Sequence, residues 1–260
     1  MDFANFAAQM KKKSSLAFLA LLAALTVCAQ QVPGMDFDAW SKTGGSWYPY
    51  VKDAPASQRA WDSANKGLSL LGVNTTTPEY DHVAVPGPGK AAAKVVSKKV
   101  LWAFVAGNLF TGRFNKVVDL SGADLDFGVP FSGRPKSLSG YVHYIPKPVN
   151  YAKEPFLDRK GRPDVGRIEV ILTDWAGLKH IDTTKEPFVD ADKDPHLIAR
   201  GVMDLDKDTG GYIPFEITLQ YRNGKTPRYA FIYVTPSRNG GSFTGGSGST
   251  VYVDEFRFNY

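Results

Sequence analysis

Val234-Thr-Pro-Ser-Arg-Asn-Gly-Gly-Ser-Phe-Thr-Gly-Gly-Ser-Gly-Ser-Thr-Val-Tyr-Val-Asp254-Glu-Phe-Arg-Phe-Asn-Tyr260 closes the chain. A Gly/Ser-rich loop, Gly240 to Ser249, leads into a strand that carries an Asp among aromatics. Side chains alternate across a strand, so Tyr252, Asp254, Phe256, Phe258 and Tyr260 are expected to point the same way. A carboxylate that shares a face with four rings is costly unless a cation or hydrogen-bond donors meet it. The loop is no phosphate loop: it has no Lys in the required place, and a strand rather than a helix follows it. Its glycines are expected to permit positive φ and close backbone approach, at an end of the molecule where loops carry binding.

Upstream, turn residues recur: Gly44-Gly45, Pro86-Gly87-Pro88-Gly89, Gly210-Gly211, Asn223-Gly224. Short runs rich in Val, Ile, Phe and Tyr lie between them, which is an all-β pattern. Ile213, Phe215, Ile217, Leu219 and Tyr221 alternate with polar residues, and Asn223-Gly224 then predicts a hairpin into a strand from Arg228 to Val234. Arg167 to Thr173 alternates as well. Other expected strands are Asp36 to Trp40, Ala92 to Ser97, Lys116 to Leu120 and Ser139 to Tyr144. A single β-sandwich over residues 34–260 accounts for this with neither linker nor repeat.

Residues 1–29 read as an export signal. Met10-Lys-Lys-Lys13 is a basic start, with Met10 the expected initiator. Leu16 to Val27 is a 12-residue apolar core, too short to span a bilayer. Val27-Cys28-Ala29 predicts cleavage after Ala29. Cys28 is the only cysteine. Its alternative fate is lipidation, which would tether the protein to a membrane, but Leu25-Thr26-Val27 is a poor sequence before a lipidated cysteine. The expected location is extracytoplasmic, with no disulfide in the mature chain. Without residues 1–29 the net charge falls from +5 to +3. No Lys/Arg cluster is interleaved with aromatics, which argues against a nucleic-acid partner. The densest basic run, Lys90, Lys94, Lys98 and Lys99, reads as a solvated face.

Three segments together carry a resemblance. They are Ala106-Gly-Asn-Leu-Phe-Thr-Gly-Arg113, then Gly128-Val-Pro-Phe-Ser-Gly-Arg-Pro-Lys136 with Gly140-Tyr-Val-His-Tyr144, and the C-terminal Gly-rich loop with Val253-Asp-Glu-Phe256. Trp61-Asp-Ser-Ala-Asn65 with Gly67 fits the same pattern. The chain resembles the putative carbohydrate metabolism domain, a family of exported bacterial proteins. The resemblance covers nearly all of the mature chain and implies a β-jelly-roll in a glycan-handling context. The expected partner is a polysaccharide or oligosaccharide, with no organic cofactor.

Jelly-roll carbohydrate-binding domains often hold a structural Ca²⁺ between their first and last strands. Asp38 and Asp254 are its expected ligands here, with Asp36 a helper; the alternative is that backbone N–H groups or an Arg satisfy Asp254. Asp204, Asp206 and Asp208 lack the Gly and Glu of a calcium loop and read as a solvated turn, as do Asp190, Asp192 and Asp194. Sugar binding needs an aromatic face among planar polar groups, and Trp47, Trp61, Asn65, Asn108, Arg134 and Trp175 are the candidates. For each, a structural role is the competing reading. Catalysis stays open. A glycoside hydrolase or lyase would need two loop carboxylates about 5–10 Å apart, and Glu169, Asp174 and Glu216 cannot be paired by sequence. A structural or adhesive cell-envelope protein is the remaining alternative.

Overall fold

A computed structural model describes residues 29–119, 122–185 and 190–260. The expected export signal up to Cys28 lies outside the described residues. The strands, in chain order, are β1 (Ser41–Thr43), β2 (Ser46–Tyr48), β3 (Trp61–Asp62), β4 (Thr76–Glu79), β5 (Ala92–Val96), β6 (Lys98–Val100), β7 (Ala103–Val105), β8 (Leu109–Val118), β9 (Gly122–Phe127), β10 (Val129–Pro130), β11 (Ser137–Ile145), β12 (Gly166–Thr173), β13 (Lys179–Asp182), β14 (Leu197–Leu205), β15 (Ile213–Thr218), β16 (Gln220–Tyr221), β17 (Tyr229–Thr235) and β18 (Thr250–Asn259). A four-residue helix, α1 (Asn65–Leu68), follows β3.

Two sheets form a β-sandwich of the jelly-roll class. The larger runs β13-β9-β8-β17-β12-β14-β16, with β3 added to β8 and β10 to β17; the smaller runs β15-β11-β18-β5-β4. Their pairings are antiparallel. Between them, Val170, Leu172 and Ile232 of the larger sheet meet Leu138, Val142 and Val253 of the smaller, all fully buried. Each such side chain contributes about 1.5–3 kcal/mol on leaving water.

A second apolar cluster covers the outer face of the larger sheet. Ile171 and Phe231 point away from the main core and meet Leu125, Phe127 and Ile181 of β9 and β13. The bend in β8 makes this possible. Leu109 and Phe110 pair with β17, whereas Gly112 onward pairs with β9. Gly112 has φ +143, and a Cβ there would sit 2.2 Å from the Asp126 carbonyl oxygen.

Three sequence expectations are corrected. Residues 213–222 are not one strand of a hairpin with 228–234. Ile213–Thr218 pairs with β11 in the smaller sheet, and Gln220–Tyr221 with β14 in the larger. The chain crosses between sheets at Leu219. Phe215, Ile217 and Leu219 still face the shared core, so the alternation hid the crossing. Asp36 to Trp40 is not a strand either: a turn ends at Asp36, and Phe37 takes a left-handed φ of 53. That turn drives the Phe37 ring edge-on against Trp61 and Phe256.

The third correction concerns the C-terminal strand. Ser139 faces Arg257 but Tyr141 faces Asp254, so Glu255 and Phe256 together oppose Gly140. This is a β-bulge with Glu255 in the left-handed region at φ 49. It breaks the parity: Phe256 and Phe258 point into the core, while Tyr252 and Asp254 face outward. The described N-terminus lies along the same strand. Phe256 N–H donates to Met35 O (2.8 Å), Phe258 N–H to Gln31 Oε1 (2.8 Å), and Tyr260 Oη–H to Gln30 O (2.8 Å).

Candidate functional site: a polar pocket beside Asp62

β3 is two residues long, and its alternation sets the site. Trp61 turns inward, 1% exposed, and donates its indole N–H to Pro33 O (2.9 Å). Asp62 therefore turns the other way, although it is still only 8% exposed. Its carboxylate accepts the N–H groups of Ser63 (2.8 Å) and Phe114 (2.9 Å). Burial pushes Asp62 up to about 6, against the pull of those N–H groups and of Lys66 and Arg113.

A cavity of about 250 Å³ opens there, lined by Tyr50, Arg59, Asp62, Lys66, Arg113 and Asn115 among others. Burial and the Asp62 charge push the Tyr50 phenol up to about 12. Arg59 lies 5.4 Å from the Tyr50 ring centre. Asn115 links the pocket to a second polar group: its amide donates to Asp124 (2.9 Å) and Asp126 (3.0 Å). His180 on β13 bonds Asp126 at 2.9 Å, and that contact raises its pKa. The pocket thus offers a ring, carboxylate and amide acceptors, and three cationic donors.

The candidates read from sequence divide by position. Asn65, 1% exposed, is a clip: its amide donates to Trp47 O (3.0 Å) and Thr76 O (2.6 Å), and its oxygen accepts from Thr75 N–H (2.8 Å). Asn108 accepts the Ala64 N–H at 3.0 Å. Trp47 is half-buried, with Lys42 5.5 Å from its ring centre. These residues gather around the start of α1, behind the pocket rather than in it. Trp175 lies elsewhere, 4% exposed in the second cluster, with its indole N–H on Asp194 (2.8 Å). Arg134 stacks over Tyr221 at 4.2 Å and donates to the carbonyls of Asn223 and Lys225. Asn65 and Trp175 have no free face for a ligand as placed, whereas Trp61, 1% exposed, forms part of the pocket wall.

Asp38 and Asp254 are likewise engaged. Asp38 accepts from Lys90 Nζ (2.8 Å) and Ala91 N–H (2.9 Å), and the same ammonium reaches Glu255 (2.8 Å). Asp254, 2% exposed, accepts the Ala84 N–H at 2.8 Å. A calcium ion at this place would have to displace Lys90, and among the described residues no three His, Cys, Asp or Glu converge to hold a metal. Asp204 pairs with Arg167 and Arg238, and Asp192 with Arg200 and Arg222.

Sequence reasoning missed Arg59, Lys66, Asn115, Asp126 and His180. It also missed Asp164, 4% exposed beneath the Gly-rich loop. Asp164 accepts from Gly246 N–H (2.7 Å), Ser237 Oγ–H (2.5 Å) and Val165 N–H (2.8 Å). Arg113 closes the first family-like motif and Asn115 lies two residues beyond it, which was the one available signal.

The family described as putative carbohydrate metabolism domain matches residues 36–259. No curated protein matches the chain. The crystal structure of a putative glycoside hydrolase from Bacteroides thetaiotaomicron is similar at TM-score 0.65 and 21% identity, over 87% of this chain and 70% of that one. A second, from Bacteroides vulgatus, is similar at TM-score 0.60 and 20% identity, over 85% and 94%. At these identities the likeness is one of fold.

Proposed function

Because the chain belongs to the putative carbohydrate metabolism domain family, we propose that it is an exported glycan-binding β-sandwich whose pocket beside Asp62 receives a sugar ring. The pocket carries this reading. Sugar hydroxyls donate and accept in fixed directions. Asp62 supplies an acceptor, Arg59, Lys66 and Arg113 supply donors, and Tyr50 supplies a ring edge. A cavity of about 250 Å³ suits one sugar unit of a longer chain.

The test is titration of the mature protein against a panel of neutral and acidic polysaccharides. At least one should bind, and Tyr50→Ala or Asp62→Asn should weaken it tenfold or more, about 1.4 kcal/mol, with the circular dichroism spectrum unchanged. Silence across the panel would sink the proposal. One observation favours a second reading, a glycoside hydrolase. With its pKa pushed up to about 6, Asp62 keeps its proton to a higher pH than an ordinary carboxylic acid, as a general acid must, and Asn115 of the same pocket bonds two further carboxylates, Asp124 and Asp126. Release of reducing ends, abolished by Asp62→Asn, would choose that reading.

A further inference from the structure

The β6–β7 hairpin ends in Leu101, 61% exposed at φ 54, and Trp102, 84% exposed. A Trp so fully in water forgoes most of what its burial would contribute, and exposed aromatics of this kind mark binding surfaces. Hydrogen bonds anchor the base of the hairpin. Ser97 N–H donates to Ser249 O (3.0 Å), Gly248 N–H to Ser97 O (2.7 Å), and Lys99 N–H to Ser247 Oγ (2.9 Å). It therefore docks on the Gly-rich loop. Residues 147–153 dock on that loop's other side: Ser247 N–H donates to Asn150 Oδ1 (2.9 Å) and Lys153 N–H to Thr244 Oγ1 (3.0 Å). Phe243, 38% exposed, sits under the Lys153 ammonium at 4.6 Å.

The charge of these three segments is one-sided, with Glu154 following directly after Lys153. Residues 97–105, 147–153 and 240–249 contain Lys98, Lys99, Lys147 and Lys153 and no Asp or Glu. Lys90 and Lys94, earlier in the same basic run, are paired with Asp38, Glu255 and Glu79. The four loop lysines have no carboxylate partner among the described residues; Lys99, Lys147 and Lys153 are exposed and Lys98 is half-buried. Asp164 lies directly beneath, but it is turned inward and already accepts three donors. Cations left unpaired at one end of the sandwich attract an anion.

We propose that this end of the sandwich, centred on Trp102 and the four lysines, binds an acidic polysaccharide, the ring stacking on a sugar face and the ammonium groups meeting its carboxylates or sulfates. The surface shares no residue with the Asp62 pocket, and the choice of a glycan rests on the function proposed above. Flat apolar ring faces on sugars suit Trp102, and anionic substituents suit the lysines.

Binding of the mature protein to polygalacturonate, to chondroitin sulfate and to neutral xylan and galactan decides it, at low salt and at 0.5 M NaCl. One or both acidic polymers should bind at least tenfold more tightly than the neutral ones, and the polymer preferred tells carboxylate from sulfate. Trp102→Ala should weaken that binding tenfold or more. A Lys98→Glu, Lys99→Glu double variant should remove most of its salt dependence. Both changes lie at exposed or half-buried positions, and an unchanged melting temperature is the control for folding. Neutral polymers bound as tightly as acidic ones, or variants that bind like wild type, would overturn this proposal and leave glycan binding standing. No polysaccharide bound at all would overturn both. Capture by anionic phosphatidylglycerol vesicles in a Trp102-dependent way, without binding to acidic polymers, would make the surface a membrane contact instead.

Discussion

Asp254 shows how one carboxylate sets a pH dependence. Burial pushes it up to about 6, and the nearby Glu255 and Asp38 charges act in the same direction, against the Ala84 N–H. Its folded pKa thus lies above its value of 3.8 in the unfolded chain. The folded state binds this proton more tightly, so the contribution to stability is complete below about 3.8 and is lost as pH rises through about 6. At pH 8 the ionised group is a liability of up to about 3 kcal/mol. Asp254→Asn keeps an acceptor for Ala84 and removes the charge. Its urea-unfolding stability should therefore gain on wild type by about 1–3 kcal/mol between pH 4 and pH 8. Parallel stability curves for the two proteins would refute this account. Asp254 was legible as a carboxylate in need of a partner, but its donor, Ala84, lies 170 residues away in sequence, and only folding brings it there.

At the scale of the element, the bulge in β18 decides what the C-terminal strand presents. A regular strand would have placed Asp254 in the core beside Phe256 and Phe258. The extra residue turns Tyr252 and Asp254 outward, where Tyr252 stacks on His143 at 5.4 Å. His143 is in turn hydrogen-bonded to His82 at 2.7 Å. Gly140 is the counterpart of the bulge, because a Cβ there would lie 2.7 Å from the Phe256 ring and 3.0 Å from the Asp254 carbonyl. Gly140→Ala should cost about 1–3 kcal/mol through this overpacking, read as a lowered urea midpoint. A variant as stable as wild type would show that the bulge can slide. Nothing in the local sequence announces the bulge: Glu255 is a non-glycine residue in a conformation that glycine usually takes. The crossing at Leu219 was hidden for a related reason. Both sheets face one core, so period-two alternation reads the same on either side of it.

At the scale of the molecule, the two ends of the described chain are joined along β18 by backbone and glutamine hydrogen bonds and by Lys90 between Asp38 and Glu255. With an ammonium in that position, the melting temperature is expected to stay unchanged in millimolar calcium or in chelator. A rise with calcium that is lost in Asp38→Asn would instead assign the ion to Asp38 and Asp254. The all-β class, the β-sandwich and the family could all be derived from sequence, because alternation, turn chemistry and contiguous motifs are local properties. Which side chains line the pocket beside Asp62 could not. The indole of Trp61 and the carboxylate of Asp62 are adjacent residues on opposite faces, and Arg59, Arg113 and Asn115 reach the pocket from segments that only β3–β8 pairing brings together. The Gly-rich loop divides in the same way. Its composition alone predicted a loop at one end of the sandwich. Asp164 beneath it, and the unpaired lysines and Trp102 beside it, were decided by tertiary structure, since burial and charge pairing are properties of neighbours in space rather than along the chain.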